Sequence, residues 1–137
     1  MKRLLYILGL SCYLISVQAF AQEFMPEPQT QNDVTFVSGG VGETERNAME
    51  AMKSDYNLDL LFAVKGTGKF VADVNVRIAD AQGNTLVETV ADGPFLFARL
   101  KPGRYAVLAE KDGHVVRQNA RISGGKRASL AFYWSEE

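Results

Sequence analysis

Few side chains in this chain of 137 residues can do covalent chemistry. Cys12 is the single cysteine and His114 the single histidine. One histidine excludes zinc sites built from several imidazoles. A cysteine confined to the N-terminal apolar run leaves the remainder without a thiol nucleophile or thiolate metal ligands. A Ser-His-Asp relay can be drawn through His114, but no nucleophile elbow accompanies it. A lone histidine beside a turn is ordinarily solvated or structural. Gly39-Gly40-Val41-Gly42-Glu43-Thr44 leads into a helical segment, where backbone amides can hold a phosphate. No lysine follows at the P-loop position, no third glycine completes a dinucleotide fingerprint, and Glu43 and Glu45 stand where the anion would bind. A flexible loop is the better account. Asp80, Asn84, Asp92 and Asp112 offer oxygen ligands, but their spacing matches no calcium loop, and turns select Asp and Asn in any case. The expectation is a protein that is not an enzyme and uses no cofactor and no metal.

Aromatic and thioether side chains supply the remaining chemistry, which is recognition. Leu130, Phe132 and Trp134 alternate with Ala131 and Tyr133, so at least one aromatic ring is expected on an outer face. Exposed rings stack on sugars or anchor protein interfaces. Ala48, Met49 and Met52 share one stripe of a short helix. Tyr133, Trp134, Met49 and Met52 form the candidate binding surface, the alternatives being core and edge packing for the two rings and, for the methionine stripe, docking of the helix on the sandwich.

The elements that position these residues are mostly short strands. Tyr56–Val64 places Tyr56, Leu58, Leu60, Phe62 and Val64 on one side, with Asp59 and Leu61 on the other. Ala72, Val74, Val76 and Ile78 alternate with polar neighbours, and Asp80–Asn84 reverses the chain, with Gly83 free to take a positive φ. Thr85–Val90 returns. Asp92-Gly93-Pro94 turns into Phe95–Arg99, where Phe95 and Phe97 are expected to face the core. Pro102 and Gly103 make the next corner, followed by Tyr105, Val107 and Ala109 on one face. Asp112-Gly113 and Gly124-Gly125 separate the last two strands. Strands at this spacing predict an antiparallel sandwich. Glu43–Ser54 is helical, with acids near its positive end, and is too short to stand alone in water.

Met1-Lys2-Arg3 precedes an uncharged apolar run, Leu4–Val17, that ends in Ala19-Phe20-Ala21. A basic start, a short apolar run and small residues before a cut are the pattern of a secretory signal, and the run is too short to span a bilayer. Residues 1–21 are expected to be removed, which leaves 13 basic and 16 acidic side chains, a net charge of −3. A weakly acidic domain has no electrostatic footprint for nucleic acid. No transmembrane segment is expected after cleavage. Cys12 raises lipidation as an alternative, but Gly9 stands where the motif has leucine. Residues 22–33, polar with Pro26 and Pro28, predict a flexible leader; 34–54 a Gly-rich loop and short amphipathic helix; 55–137 the sandwich.

Over Asp55–Tyr133 the pattern resembles the carboxypeptidase regulatory-like domain, a prealbumin-type (transthyretin-like) sandwich. The matching residues are Ala72-x-Val74-x-Val76, Gly83, Asp92-Gly93, Phe95-x-Phe97, Leu100-x-Pro102-Gly103-x-Tyr105-x-Val107 and Gly113. The resemblance implies a mainly β, seven-stranded Greek-key sandwich, here with one short N-terminal helix. His114 departs from the family, which has an aromatic residue there, and 38–54 lies outside its pattern. The ending Trp134-Ser135-Glu136-Glu137 lacks the Tyr-Arg-Gly-Ser of the prealbumin-like purine-ring hydrolases. The function expected is an exported accessory module, periplasmic or secreted, that binds an envelope protein. The alternative is a polysaccharide- or peptidoglycan-binding module that uses the C-terminal aromatics.

Overall fold

A computed structural model describes residues 25–136. The proposed signal segment, including Cys12 and the cleavage site after Ala21, lies outside the described residues, as do Gln22–Phe24. Among the described residues there are nine strands and one short α-helix. In order they are β1 (Gln29–Gln31), β2 (Val34–Gly39), α1 (Glu43–Met52), β3 (Leu58–Val64), β4 (Val74–Asp80), β5 (Thr85–Ala91), β6 (Phe95–Arg99), β7 (Gly103–Lys111), β8 (His114–Ile122) and β9 (Ala128–Trp134). A 3-10 turn, Lys53–Asp55, continues α1.

Two sheets result, one with the order β1-β2-β6-β3-β9 and the other β5-β4-β7-β8. Their facing side chains make one core. Phe36, Leu58, Leu60, Phe62, Leu96 and Phe132 of the first sheet meet Val74, Val76, Ile78, Val87 and Val107 of the second. The expected seven strands are thus nine, because the segment before residue 55 contributes two of them. Val34–Gly39 runs antiparallel to β6, from Thr35 opposite Arg99 to Gly39 opposite Phe95. The expected flexible leader is likewise ordered at its end, where Gln29–Gln31 pairs with β2. Asn32 and Asp33 link the two at φ 46° and 64°. Positive φ at both central residues is what a two-residue type I′ hairpin requires, and Asn and Asp tolerate it better than other side chains. The pairing is also not wholly antiparallel, since β9 runs parallel to β3 from Leu58–Ala128 to Val64–Trp134.

Where alternation is clean, strand and turn agree with the sequence. Asp112 (φ 51°) and Gly113 (φ 82°) join β7 to β8 in a two-residue hairpin that seats Lys111 opposite His114. The Asp80 carboxylate accepts backbone N–H bonds from Gln82 (3.0 Å) and Asn84 (2.9 Å) and closes the β4–β5 turn around Gly83. Following the Pro102-Gly103 corner, the Tyr105 hydroxyl donates to the Lys101 carbonyl at 2.6 Å. Beside exposed Asp92, whose N–H donates to Ser38 Oγ at 3.1 Å, Gly93 answers a contact rather than a turn: a Cβ there would lie 2.4 Å from the Gly39 backbone.

β6 departs from expectation in which way it faces. Leu96 and Ala98 fill the inter-sheet core, while Phe97 and Phe95 point to the outer face and join Val37, Met49, Tyr56 and Met52 in a second cluster under α1. A one-residue change of parity moves every side chain to the opposite face. Because α1 covers the outside of this strand, both faces are apolar and Phe-Leu-Phe-Ala carries no alternation to read.

Candidate binding groove

Helix α1 begins after Gly42 (φ 81°) without a side-chain cap. Glu45 reaches back instead, its Oε1 accepting the Gly40 N–H at 2.9 Å. Gly39 allows this closeness, since a Cβ there would meet Glu45 Oε1 at 2.6 Å and the Pro26 ring at 2.9 Å. Met49, 1% exposed, is the residue that seats the helix on Val37, Tyr56 and Phe97. The helix covers only part of the outer face. Alongside it runs an open groove of about 480 Å³, with Arg46, Glu50 and Lys53 on the helix wall and Leu61, Phe95 and Phe97 on the sheet floor. At the rim Phe70 is half-exposed, edge-on to Phe95 at 5.5 Å between ring centres, and the Arg46 guanidinium lies 5.7 Å above it.

Asp59 sits on the floor between Phe97 of β6 and Ser129 of β9, directly opposite both. It is the single buried charged side chain among the described residues, 7% exposed. Its Oδ2 accepts from Ser129 Oγ at 3.2 Å and lies 3.8 Å from Lys53 Nζ and 3.9 Å from Arg127 Nε. Arg127 is held by the Lys53 carbonyl, to which Nη2 donates at 3.0 Å. Oδ1 is buried and has no hydrogen-bond partner among the described residues. Burial pushes the Asp59 carboxyl above its ordinary value. Lys53, Arg127 and the Ser129 hydrogen bond oppose that shift, and Glu50 adds to it. Desolvation outweighs two cations here, as it does when ion pairs are long.

The four residues expected to form a binding surface are not brought together. Met49 is consumed in seating the helix and Met52 is half-buried beside it. Trp134 is 8% exposed in the inter-sheet core, packed on Phe62 and Phe132, with its indole N–H donating to the His114 carbonyl at 2.9 Å. Tyr133 is half-exposed on the same outer face as Asp59, two positions further along β9 than Ala131. His114 itself is exposed at the start of β8. Sequence reasoning placed Asp59 on the outer face but gave it no role. The available signal was a lone carboxylate inside Leu58-Asp59-Leu60-Leu61, where a wet strand face would alternate polar residues more regularly.

Among the described residues no three His, Cys, Asp or Glu side chains are grouped to hold a metal ion. No helix among them is long and apolar enough to cross a membrane. A scan against models of known protein families finds no match to this chain, and a search of curated proteins finds none either.

Proposed function

We propose that the protein is an exported, non-enzymatic accessory module of the cell envelope that binds another protein through the groove between α1 and the five-stranded sheet. The observation that carries this proposal is the groove itself. It is a concave, largely apolar surface with one buried carboxylate, the mixture of shape and sparse polarity that binding sites use. The secretory pattern of residues 1–21 supports the compartment. The corner residues Pro102-Gly103-x-Tyr105 and Asp112-Gly113 support kinship with carboxypeptidase regulatory-like domains, with β1, β2 and α1 as additions to that frame. Such frames host unrelated roles, so the function is argued from the groove and not from the frame. Polysaccharide binding through the C-terminal aromatics would now rest mainly on Tyr133, because Trp134 is only 8% exposed. One ring is a small stacking platform, which favours the protein partner.

Ala131→Arg tests the site. Ala131 lines the groove and points away from the core, so a long side chain there obstructs the groove without disturbing the packing between sheets. Tagged wild type and variant are cross-linked in the native envelope fraction and compared by mass spectrometry. A stoichiometric partner recovered with wild type and missing with the variant, at equal urea midpoints, is the expected result. Equal recovery of that partner by both proteins overturns the assignment of the groove.

A further inference from the structure

We propose that the outer face of the four-stranded sheet carries a second binding site, a depression that takes a phosphate monoester between Arg104 and Arg121. It lies on the side of the sandwich opposite the groove and does not depend on the groove being a site. Arg104 of β7 and Arg121 of β8 stand directly opposite each other. Counted from Lys111–His114, the hydrogen-bonded pair that closes the hairpin, they fall at a non-hydrogen-bonded position, where facing Cα atoms approach to about 4.5 Å. Like charges so placed lower stability. Arg117, on the same face of β8, joins them around an open depression of about 520 Å³. Asn119 lines it too, and the small side chain of half-buried Ala106 opposite leaves the space. The three arginines and Asn119 are all exposed.

None of the three arginines is neutralised within the chain. Ion pairs among the described residues engage Lys53, Lys69 and Arg127, and cation–ring contacts engage Arg46 and Arg99. Asp80, the one carboxylate lining the depression, uses both oxygens in its own turn, accepting from the Gln82 and Asn84 N–H groups and from the Asn84 amide. Three guanidinium groups against one carboxylate leave two positive charges in a chain whose residues 22–137 are net acidic. A phosphate monoester matches that count, with nearly two negative charges at neutral pH on three acceptor oxygens. Guanidinium forks bind such oxygens in pairs. A carboxylate brings one charge and would leave the Arg104–Arg121 repulsion only half compensated. An anionic bilayer fits less well, because Glu88, opposite Arg77, and Glu110, opposite Asn75, share this sheet face and would be pressed against it. The occupant is therefore a discrete molecule that bears the phosphate.

The test uses glucose 6-phosphate and glucose 6-sulfate, tetrahedral esters of one shape that differ by about one charge at neutral pH. Each is titrated into the protein expressed from its full chain, and backbone amide NMR signals of Arg104, Ala106, Asn119 and Arg121 are followed. The phosphate ester is expected to bind about fivefold or more tightly, the margin of one further unit charge at about 4 Å in water. Arg104→Gln and Arg121→Gln are each expected to erase most of that preference without lowering the urea midpoint, since each also removes a like-charge contact. Arg77→Gln, on the same face but outside the depression, is expected to keep it. Equal binding of the two esters, no movement of these signals with either, or an undiminished preference in both depression variants overturns the inference. Vesicles containing phosphatidic acid, compared at equal accessible phosphate, and a blocked tetra-aspartate peptide are each expected to bind more weakly than the phosphate ester. Tighter binding of the vesicles or of the peptide overturns the assignment to a discrete phosphate monoester.

Discussion

Asp59 and Asp80 show how differently two carboxylates fare in one small protein. Asp80 is exposed in a turn, and hydrogen bonds, first from the Asn84 backbone and then from the Asn84 side chain and Gln82, hold its carboxyl below the ordinary range. Asp59 is buried and shifts the other way. With a folded pKa above its ordinary value of 3.8, Asp59 binds its proton more tightly folded than unfolded. Its contribution to stability is therefore full below that ordinary value and is lost as pH rises through the folded pKa. Asp59→Asn removes this dependence. In urea unfolding across pH 3–8 the variant is expected to gain on wild type as pH rises, reaching about 1 kcal/mol at pH 7, the scale of one unmet buried acceptor. A difference that does not change with pH would show that Asp59 is adequately paired by Lys53 and Arg127.

At the scale of elements, α1 illustrates why ten residues stay helical. Its stripe finds an apolar surface only because β6 turns two phenylalanines outward. Met49 is the one fully buried residue of the helix, so Met49→Ala is expected to cost about 2–3 kcal/mol. The loss should be local. Hydrogen exchange of Ala48–Met52 amides is expected to accelerate while β3 keeps its protection, because β3 is held by β6, β9 and the core beneath. Equal loss in β3 would mean that helix and sheet unfold as one unit. The helix itself was readable from Ala48, Met49 and Met52, β4 and β7 from their alternation, and β8 from the Asp112-Gly113 and Gly124-Gly125 turns that flank it. The orientation of β6 was not, since Phe95-Leu96-Phe97-Ala98 is apolar at every position.

The whole molecule has two open sides, where the edge strands of one sheet pass those of the other. Each is stitched by a glutamine. On one side the Gln31 amide donates to the Glu88 carbonyl (3.1 Å) and accepts the Glu88 N–H (2.9 Å), occupying both backbone groups of a residue on edge strand β5. On the other, Gln118 donates to the Ala131 carbonyl of β9. Covering edge groups in this way denies them to another chain. Gln31→Ala is expected to lower stability by about 1–2 kcal/mol, for two hydrogen bonds, and to promote self-association detectable by light scattering. A monomeric variant of unchanged urea midpoint would assign no role to the stitch. In that case β5 would be protected by the Asn32 amide, which donates to the Leu86 carbonyl at 3.0 Å, and by the charge of Glu88.

The local backbone is legible in the residues alone: Gly83 and Asp112-Gly113 at tight reversals, Pro102-Gly103 at a corner, alternation in most strands, and one cysteine and one histidine, too few for a site of several thiolates or imidazoles. These follow from steric and hydrogen-bonding preferences that act between near neighbours. Tertiary structure decided the rest: the place of β1 and β2 in the sheet, the facing of β6, the burial of Trp134, and the enclosure of Asp59. Each depends on partners distant in the chain, such as Phe36 opposite Ala98 or Asp59 opposite Ser129. A side chain's surroundings there are set by which strands pair, and no local pattern records that choice.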